Sequence, residues 1–543
     1  MTSDGPARRG DGLVENLLRR AALGDMVRRQ AARQGNKPAI IARSGDESRR
    51  VITYQDLHRF SNRVAHGLAR LEVGRGDLVA LMSHNAPEAV GIYYGILKQS
   101  SVFTSLNPSY TPAEVARQVD HATPRVVIAG PGVAERARAG VAGTRAKPRL
   151  VVMDGTPRPG EVSFSEMLNG VSDEIPEVLV EETDLAMVMY TSGTESVPKG
   201  VMVTHRAMMI STTPSWSYEG YVAKSDVFLL LAPMYTMAGT GAVTNLISMG
   251  ATLVMIPRTE PGAVLEAIEA EGVTNTSQTP TFYHRMIRHP DFPRRDLSSL
   301  RQAHVYGGPI PFGVVSELSG RAPGVTWATY WGQSELSQLG VIGFFTDPSE
   351  IPEGDSRWIG RPTPHVEVRV VDEEGADCEV GELLCRSPGV MEGYYRNPRA
   401  TEAVLRDGWL HTGDVVRLDS RGNLFFHDRL KDMIKTGGMN VSSAEVEETI
   451  RRHPGVMEAA VVGTPHPEWT EAVTAAVVPG REQSVSEAEL IEFCRARLAG
   501  YKTPKRVEFV SDLPIDSQGK VLKRELRELL GDRRRSRPPG ERT

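Results

Sequence analysis

Cysteine is scarce in this chain. Only Cys378, Cys385 and Cys494 occur in 543 residues, odd in number and never spaced as Cys-x-x-Cys. That argues against a disulfide framework or a zinc site and fits a reducing, cytoplasmic setting. Long apolar runs are also lacking: none reaches the roughly 18 residues a membrane-spanning helix requires. There is no excess of positive charge. The 63 Lys and Arg against 68 Asp and Glu leave a net charge of −5, the wrong sign for a general nucleic-acid binder, which must displace phosphate counterions. The N-terminal stretch lacks the compact apolar segment of a secretory leader. Instead, Leu13 to Ala32 reads as one Arg-rich amphipathic stretch, expected to pack on the first domain, with attachment to a membrane surface as its alternative. No internal repeat is visible.

What the sequence does contain is alternation. Its length implies about three to four packing units. Over the first four hundred or so residues, short apolar runs bounded by Gly, Pro or Asp alternate with helical periodicity. Examples are Asp77 to Asn85, Pro124 to Gly130, Pro148 to Gly155 and Ala251 to Pro257. Such runs predict buried parallel strands, with helices such as Ser61 to Leu71 and Pro112 to His121 between them. The class is therefore α/β, with ligands expected at the carboxyl ends of the strands. Near Arg361 the pattern changes to a small antiparallel subdomain (Val366 to Asp372, Gly381 to Ser387, Asn423 to Leu430). From Met433 onward a compact α+β unit follows. The expected organisation is a tail (1–20), a large N-terminal domain of parallel-sheet subdomains plus the antiparallel one (21–430), a small C-terminal domain (431–531) and a basic tail (532–543).

Five segments point to chemistry. The strand-like Ala186 to Tyr190 runs into Thr-Ser-Gly-Thr-Glu-Ser-Val-Pro-Lys-Gly, Thr191 to Gly200. This is a plausible anion cradle: glycine lets backbone N–H groups approach a phosphate, hydroxyls donate, and Lys199 adds charge. It lacks the spacing of a Walker loop. Thr329 to Glu335 sets aromatics beside Gly332, then Gln333, a hydroxyl at Ser334 and the carboxylate of Glu335, a group able to stack a base and hold Mg²⁺. His411 to Val416 places Asp414 at an expected strand start, where its carboxylate could take two ribose hydroxyls. Asp428 to Glu447 gathers charges and a Gly437–Gly438 pair between the domains. Pro514 to Leu526 presents Lys520 on a turn before the last helix.

In this order and at these separations, the five segments resemble the signature of the ANL adenylate-forming superfamily, in its acyl-CoA synthetase branch. The resemblance spans about Ala22 to Leu530. It implies that ATP and a carboxylic acid give acyl-AMP and pyrophosphate, and that the thiol of coenzyme A then displaces AMP, the small domain rotating between the two steps. Position by position, it implies that Thr191, Ser192, Gly193, Thr194 and Lys199 surround the β- and γ-phosphates. Gly307, Gly308 and Pro309 line the adenine with Tyr330, Trp331, Gly332 and Gln333, Trp331 taking the stacking position usually held by tyrosine. Ser334 lies near the α-phosphate and Glu335 beside Mg²⁺. Asp414 and Arg429 hold the ribose, and Lys431 is the hinge.

By the same resemblance, Lys520 is the adenylation lysine. The chemistry asks for such a cation, since a carboxylate and an α-phosphate must meet in line. Rotation would bring Lys435 to Asn440 to the site instead, with Gly437 and Gly438 lining a pantetheine tunnel. Tyr235, Thr236, Met237 and Gly239, with Gly241, would shape an acyl pocket roomy enough for a sizeable apolar acid. Homodimers are common among such enzymes.

Two departures stand out. The family's phosphate loop has Thr-Gly where this chain has Glu195-Ser196. A fixed carboxylate near a triphosphate is unfavourable by about 1–4 kcal/mol at surface-like dielectric unless it turns to solvent. Two readings therefore stay open: a full ligase with Glu195 turned away, or an enzyme of the second step that accepts a preformed acyl-adenylate. Loading of a carrier protein in place of CoA is a third. The other departure is Thr236, which stands where the family usually has histidine.

Overall fold

The computed structural model describes residues 9–44, 48–191, 199–212, 222–437, 439–480, 485–515 and 521–535. Among these, the strands form sheets of fourteen, eight and five strands, and no helix is long and apolar enough to cross a membrane.

The eight-stranded sheet is built around runs buried on both faces. Leu78–Met82, buried at all five positions, lies parallel to both Val102–Leu106 and Val126–Ala129. Strands covered by helices on either side need continuous apolar sequence, which is what the sequence shows. The covering helices start where the local chemistry allows. Thr53 with Asp56 and Thr111 with Glu114 form reciprocal capping boxes at the heads of Tyr54–Arg70 and Pro112–Ala122, satisfying N–H groups that the helix leaves unpaired. Leu185–Thr191 and Lys199–Thr204 pair antiparallel in this sheet, with Thr191 opposite Lys199.

The fourteen-stranded sheet has a parallel centre that includes Val227–Leu229, Asn275–Gln278, Gln302–Val305 and Thr326–Trp331. Beyond Thr326–Trp331 it turns antiparallel and continues through Val341–Phe345 and Trp358–Pro362. It then runs into Leu424–Arg429, Trp409–Leu418, Val380–Arg386 and Glu367–Val371. The expected antiparallel subdomain is therefore hydrogen-bonded to the parallel sheet and does not stand apart from it. Gly360 makes the junction possible. At φ 105° its α-carbon lies so close to the Ile342 carbonyl that any β-carbon would sit 2.2 Å from that oxygen.

Three further expectations need correction. The N-terminal stretch is two helices, Arg9–Arg19 and Gly24–Gln34. The chain breaks between them so that Arg20 can meet Asp25 in a buried two-pronged ion pair at 2.8 and 3.0 Å. The last helix, Lys523–Arg535, continues beyond Asp532, where a charged tail was expected. It is anchored by Leu526 and Leu530, which pack on Ala460 and Val462. Asp414, expected at a strand start, is the sixth of ten residues in Trp409–Leu418.

The small C-terminal unit is a long hairpin, Val456–His466 with Thr470–Pro479, packed by the helix Ser443–Arg451. Its own core contains Val446, Ile450, Val461, Val473 and Leu490. It meets the preceding chain through polar contacts: Ser442 Oγ donates to the His427 carbonyl (2.6 Å), Ser443 N–H and Oγ donate to Asp428, and Ser356 Oγ bonds Glu448 (2.5 Å).

Candidate functional site

Alternation along one strand separates two functions. In Thr326–Trp331 successive side chains point to opposite faces, so Tyr330 and Trp331 serve different compartments. Trp331 is 8% exposed and packs with Leu336, Val341 and Leu410. Its indole N–H donates to Asp414 Oδ2 at 2.9 Å. Gln333 Nε2 donates to the same oxygen at 2.9 Å and to the Thr412 carbonyl at 2.9 Å. Arg429, directly across the strand pair, places Nε 3.5 Å from Asp414 Oδ1. Asp414 is thus a buried carboxylate, 3% exposed, held by two neutral donors and one cation. Burial of this kind requires such partners. The structure therefore gives Trp331 a hydrogen-bonding role and leaves little of its ring open for a stacked base.

After Trp331 the chain folds tightly. Gly332 lies so close to Gln338 that a β-carbon would come within 1.6 Å of the Gln338 carbonyl oxygen. Ser337 and Gln338 both sit in the left-handed region, at φ 54° and 109°, a strained conformation for residues with side chains. It is maintained by Gln338 N–H bonding the Gln333 carbonyl (3.0 Å) and Ser337 Oγ bonding the Gly389 carbonyl (2.7 Å). Ser334 and Glu335 occupy the short 3₁₀ turn at the tip. Glu335 Oε1 accepts from the Tyr394 hydroxyl at 2.8 Å, and Lys199 Nζ lies 5.4 Å from the centre of the same ring. Tyr394 therefore joins a cation and a carboxylate from widely separated parts of the sequence, at the end where phosphates are expected.

Gly307, Gly308 and Pro309 follow Tyr306 just beyond the carboxyl end of Gln302–Val305, with Gly307 at φ 73° and both glycines exposed. Ser192, Gly193, Thr194, Glu195, Ser196, Gly438 and Lys520 lie outside the described residues. Lys431 falls in a turn where the Asp432 and Met433 N–H groups bond the Arg429 carbonyl. Among the described residues, Lys435 and Gly437 are not hydrogen-bonded to the Asp414 cluster. The Lys435 N–H bonds Glu471 at 2.7 Å, and the Gly437 N–H bonds the Trp469 carbonyl at 2.9 Å.

On the other face of the strand, Tyr330 borders a narrow cavity of about 50 Å³ lined by Phe228, His304, Tyr306, Gln338 and one face of the helix Met237–Met249. Tyr306 and Tyr330 stack at 5.5 Å, and the Tyr330 hydroxyl shares a hydrogen bond with Ser277 at 2.8 Å. Complete burial drives the His304 pKa down to about 4, so its ring is neutral at pH 7. The helix residues that line the cavity are Ala238, Ala242, Asn245 and Leu246.

The expected acyl-pocket residues sit elsewhere around the same helix start. Thr236 caps the helix, accepting from Gly239 N–H (3.2 Å) and donating to the Pro233 carbonyl (2.8 Å). Met237 is buried in the main core, Gly239 is pressed on the Pro233 carbonyl, and the Tyr235 carbonyl accepts from Ser105 (3.0 Å). The reason is helical phase: lining positions three and four apart begin at Ala238, one residue on. Tyr394, Gln338 and Asn245 were not anticipated. Gly393-Tyr394-Tyr395 offers a faint signal for the first; the other two depend on packing.

Comparison with known proteins identifies the family. The AMP-binding enzyme family model matches residues 27–395, and the AMP-binding enzyme C-terminal domain model matches 445–520. A feruloyl-CoA synthase from Amycolatopsis is 35% identical over 88% of this chain and 94% of its own length. A long-chain-fatty-acid–CoA ligase from Thermus thermophilus is 31% identical over 93% and 95%. The crystal structure of an anthranilate CoA ligase in complex with anthranoyl-AMP superposes with a TM-score of 0.86 at 26% identity, covering 95% of this chain and 98% of that one. With matching family models over most of its length and relatives above 30% identity that span nearly all of it, the chain belongs to the AMP-binding enzymes, in the acyl-CoA synthetase branch of the adenylate-forming superfamily.

Proposed function

We propose that this AMP-forming acyl-CoA ligase performs both half-reactions, with an aromatic carboxylic acid as substrate. One observation supports the reading above others. The short segment Trp331 to Gln338 is bonded to Asp414 at its start and borders the aromatic cavity at its end. A nucleotide held at Asp414 and an acid held in the cavity would meet over Ser334 and Glu335. The feruloyl and anthranilate enzymes among the similar proteins fit a cavity walled by Phe228, Tyr306 and Tyr330.

In the first step a carboxylate oxygen attacks the α-phosphorus and pyrophosphate leaves. In the second the CoA sulfur attacks the acyl carbon, AMP leaves, and the thiol proton is released. Asp414 would orient the ribose, and Lys199 would offset phosphate charge. Lys520 would bridge the two anions of the first step, where preorganised charge acts most strongly. Rotation about Lys431 would then exchange Lys520 for the Lys435–Gly437 face.

The residues also fit Mg²⁺. No cluster of three or more ligating side chains occurs among the described residues. However, Mg²⁺ on nucleotides usually takes one or two carboxylates plus phosphate oxygens and water. The Oε2 atom of Glu335 accepts no hydrogen bond among the described residues while Oε1 is fixed by Tyr394. When bound, the ion would neutralise phosphate charge. Cytoplasmic residence and a homodimer belong to the same proposal.

The test is a product analysis. With ATP, Mg²⁺, CoA and a panel of aryl and fatty acids, AMP and thioester should appear in equal amounts. ADP as product, or no thioester from any acid or from synthetic acyl-adenylates, would sink the reading.

A further inference from the structure

Lys199 and Glu335, the cation and the carboxylate expected at the phosphate end of the site, come from different sheets. Lys199 opens a strand of the eight-stranded sheet, whereas Glu335 follows the strand Thr326–Trp331 of the fourteen-stranded one. Their spacing therefore depends on what joins the two sheets at this point. One short segment, Met391 to Arg396, does so. Its Met391 N–H donates to the Glu335 carbonyl at 2.9 Å, and its Tyr395 N–H donates to the Gly200 carbonyl at 2.7 Å. Between them, Gly393 and Tyr394 pair antiparallel with Met202 and Val201, in the strand that Lys199 begins. At the far end Arg396, at φ 53°, donates to the His121 carbonyl (3.1 Å) and to Thr123 Oγ1 (2.9 Å). A residue with a side chain stays at such a positive φ only where its surroundings over-determine it. The segment is a fixed strap.

Tyr394 is where the strap meets the site. Its ring is 6% exposed, and its N–H donates to Thr401 Oγ1 at 2.9 Å, so ring and backbone are both held. The hydroxyl donates to Glu335 Oε1 at 2.8 Å. Lys199 Nζ stands 5.4 Å from the centre of the same ring, within the range of a cation–π attraction. Mg²⁺ demands near-octahedral geometry and takes few protein ligands, so the orientation of a single carboxylate matters. With Oε1 fixed by the phenol, Oε2 is the oxygen left for the ion.

We propose that Tyr394 is a positioning residue for the metal-bound phosphates: its hydroxyl orients Glu335 for Mg²⁺ beside Lys199. The inference rests on the ligase reading above and on Glu335 as the Mg²⁺ carboxylate. It assigns part of the metal dependence of nucleotide binding to a phenol acting through Glu335.

The experiment measures binding without turnover. Affinity for the α,β-methylene analogue of ATP is determined by calorimetry with Mg²⁺ and in EDTA, and affinity for AMP in EDTA, for native enzyme, Tyr394→Phe, Glu335→Gln and the double variant. Native enzyme should bind the analogue more tightly with Mg²⁺. Tyr394→Phe keeps the ring and loses only the hydroxyl. It should lose about 10- to 100-fold of the affinity seen with Mg²⁺, the usual scale for removing an outer partner of a metal ligand, with AMP binding, binding in EDTA and melting temperature close to native. Glu335→Gln should abolish the Mg²⁺ advantage, and adding Tyr394→Phe to it should cost nothing more, because the two groups act as a unit. A Mg²⁺ advantage in Tyr394→Phe within about threefold of native would overturn the proposal. So would equal losses with and without Mg²⁺, the result for a merely structural residue, or additive losses in the double variant. The ligase reading is decided separately, by whether native enzyme forms AMP and thioester.

Discussion

Replacing Trp331 by phenylalanine separates two roles an aromatic residue can play at this position. If the ring's task were to stack on adenine, phenylalanine would retain most of it, because a flat π-face remains. The structure gives the indole another task. Its N–H is one of two neutral donors on the inner oxygen of a carboxylate that is 3% exposed. A hydrogen bond to a charged group contributes about 1.5–3 kcal/mol. Losing it leaves Asp414 on Gln333 and Arg429 alone and frees the carboxylate to rotate away from the position in which it is proposed to hold the ribose. The KM for ATP should then rise about 10- to 150-fold on that energy scale, with the KM for CoA nearly unchanged. The smaller ring also leaves roughly 40 Å³ empty in the cluster around Leu336 and Val341, costing about 1 kcal/mol of stability. Thermal melting measures the stability term and steady-state kinetics at saturating acid measures the nucleotide term, so the two do not confuse each other. A KM for ATP within threefold of native in a folded Trp331→Phe protein would refute the reasoning.

Three further outcomes follow. Lys520→Ala should cut acid-dependent adenylation by about two to three orders of magnitude, as removal of a transition-state donor does elsewhere, while thioester formation from a synthetic adenylate is largely retained; equal loss in both assays would argue against its assignment. Gly332→Ala should abolish activity and lower the melting temperature, because the new carbon would sit 1.6 Å from the Gln338 carbonyl oxygen; an active, equally stable variant would contradict the folded segment described. Acid should destabilise the protein early. Burial holds His205 and His304 near a pKa of about 4, below the usual 6.5, so between those values the unfolded chain binds more protons. Stability is complete above pH 6.5 and should fall by about 1.4 kcal/mol per pH unit for each histidine below it. His205→Asn, which keeps an acceptor for the Leu23 N–H, should flatten urea-melt slopes between pH 6 and 5; an unchanged slope would refute this source.

The α/β class was legible because buried parallel strands must be continuously apolar, and Leu78–Met82 and Val126–Ala129 are. Asp414 and Arg429 stood out because their neighbours in sequence form a recognisable motif. The donors that make Asp414 tolerable could not be read the same way. Trp331 lies 83 residues away, and Tyr394 lies 59 residues from the Glu335 it holds. Contacts across such distances are set by packing and leave little local trace. The cavity beside Tyr330 shows a subtler limit. The helix that Thr236 caps lines it, but which residues face it depends on where the cap falls: Ala238, Ala242, Asn245 and Leu246 do, while Met237 and Gly239 do not. Joining of the antiparallel strands to the parallel sheet likewise hinges on the close approach at Gly360.

The most direct test of the central claim concerns the first half-reaction, because Glu195 and Ser196 depart from the usual phosphate loop there. Incubation with ATP, Mg²⁺ and labelled pyrophosphate, without CoA, reports only the formation and reversal of acyl-AMP. Exchange of label into ATP should appear when an aromatic carboxylic acid that the enzyme converts to thioester is added and vanish when it is left out. Failure of any acid to support exchange, alongside thioester formation from synthetic acyl-adenylates, would contradict the account and leave an enzyme of the second step only.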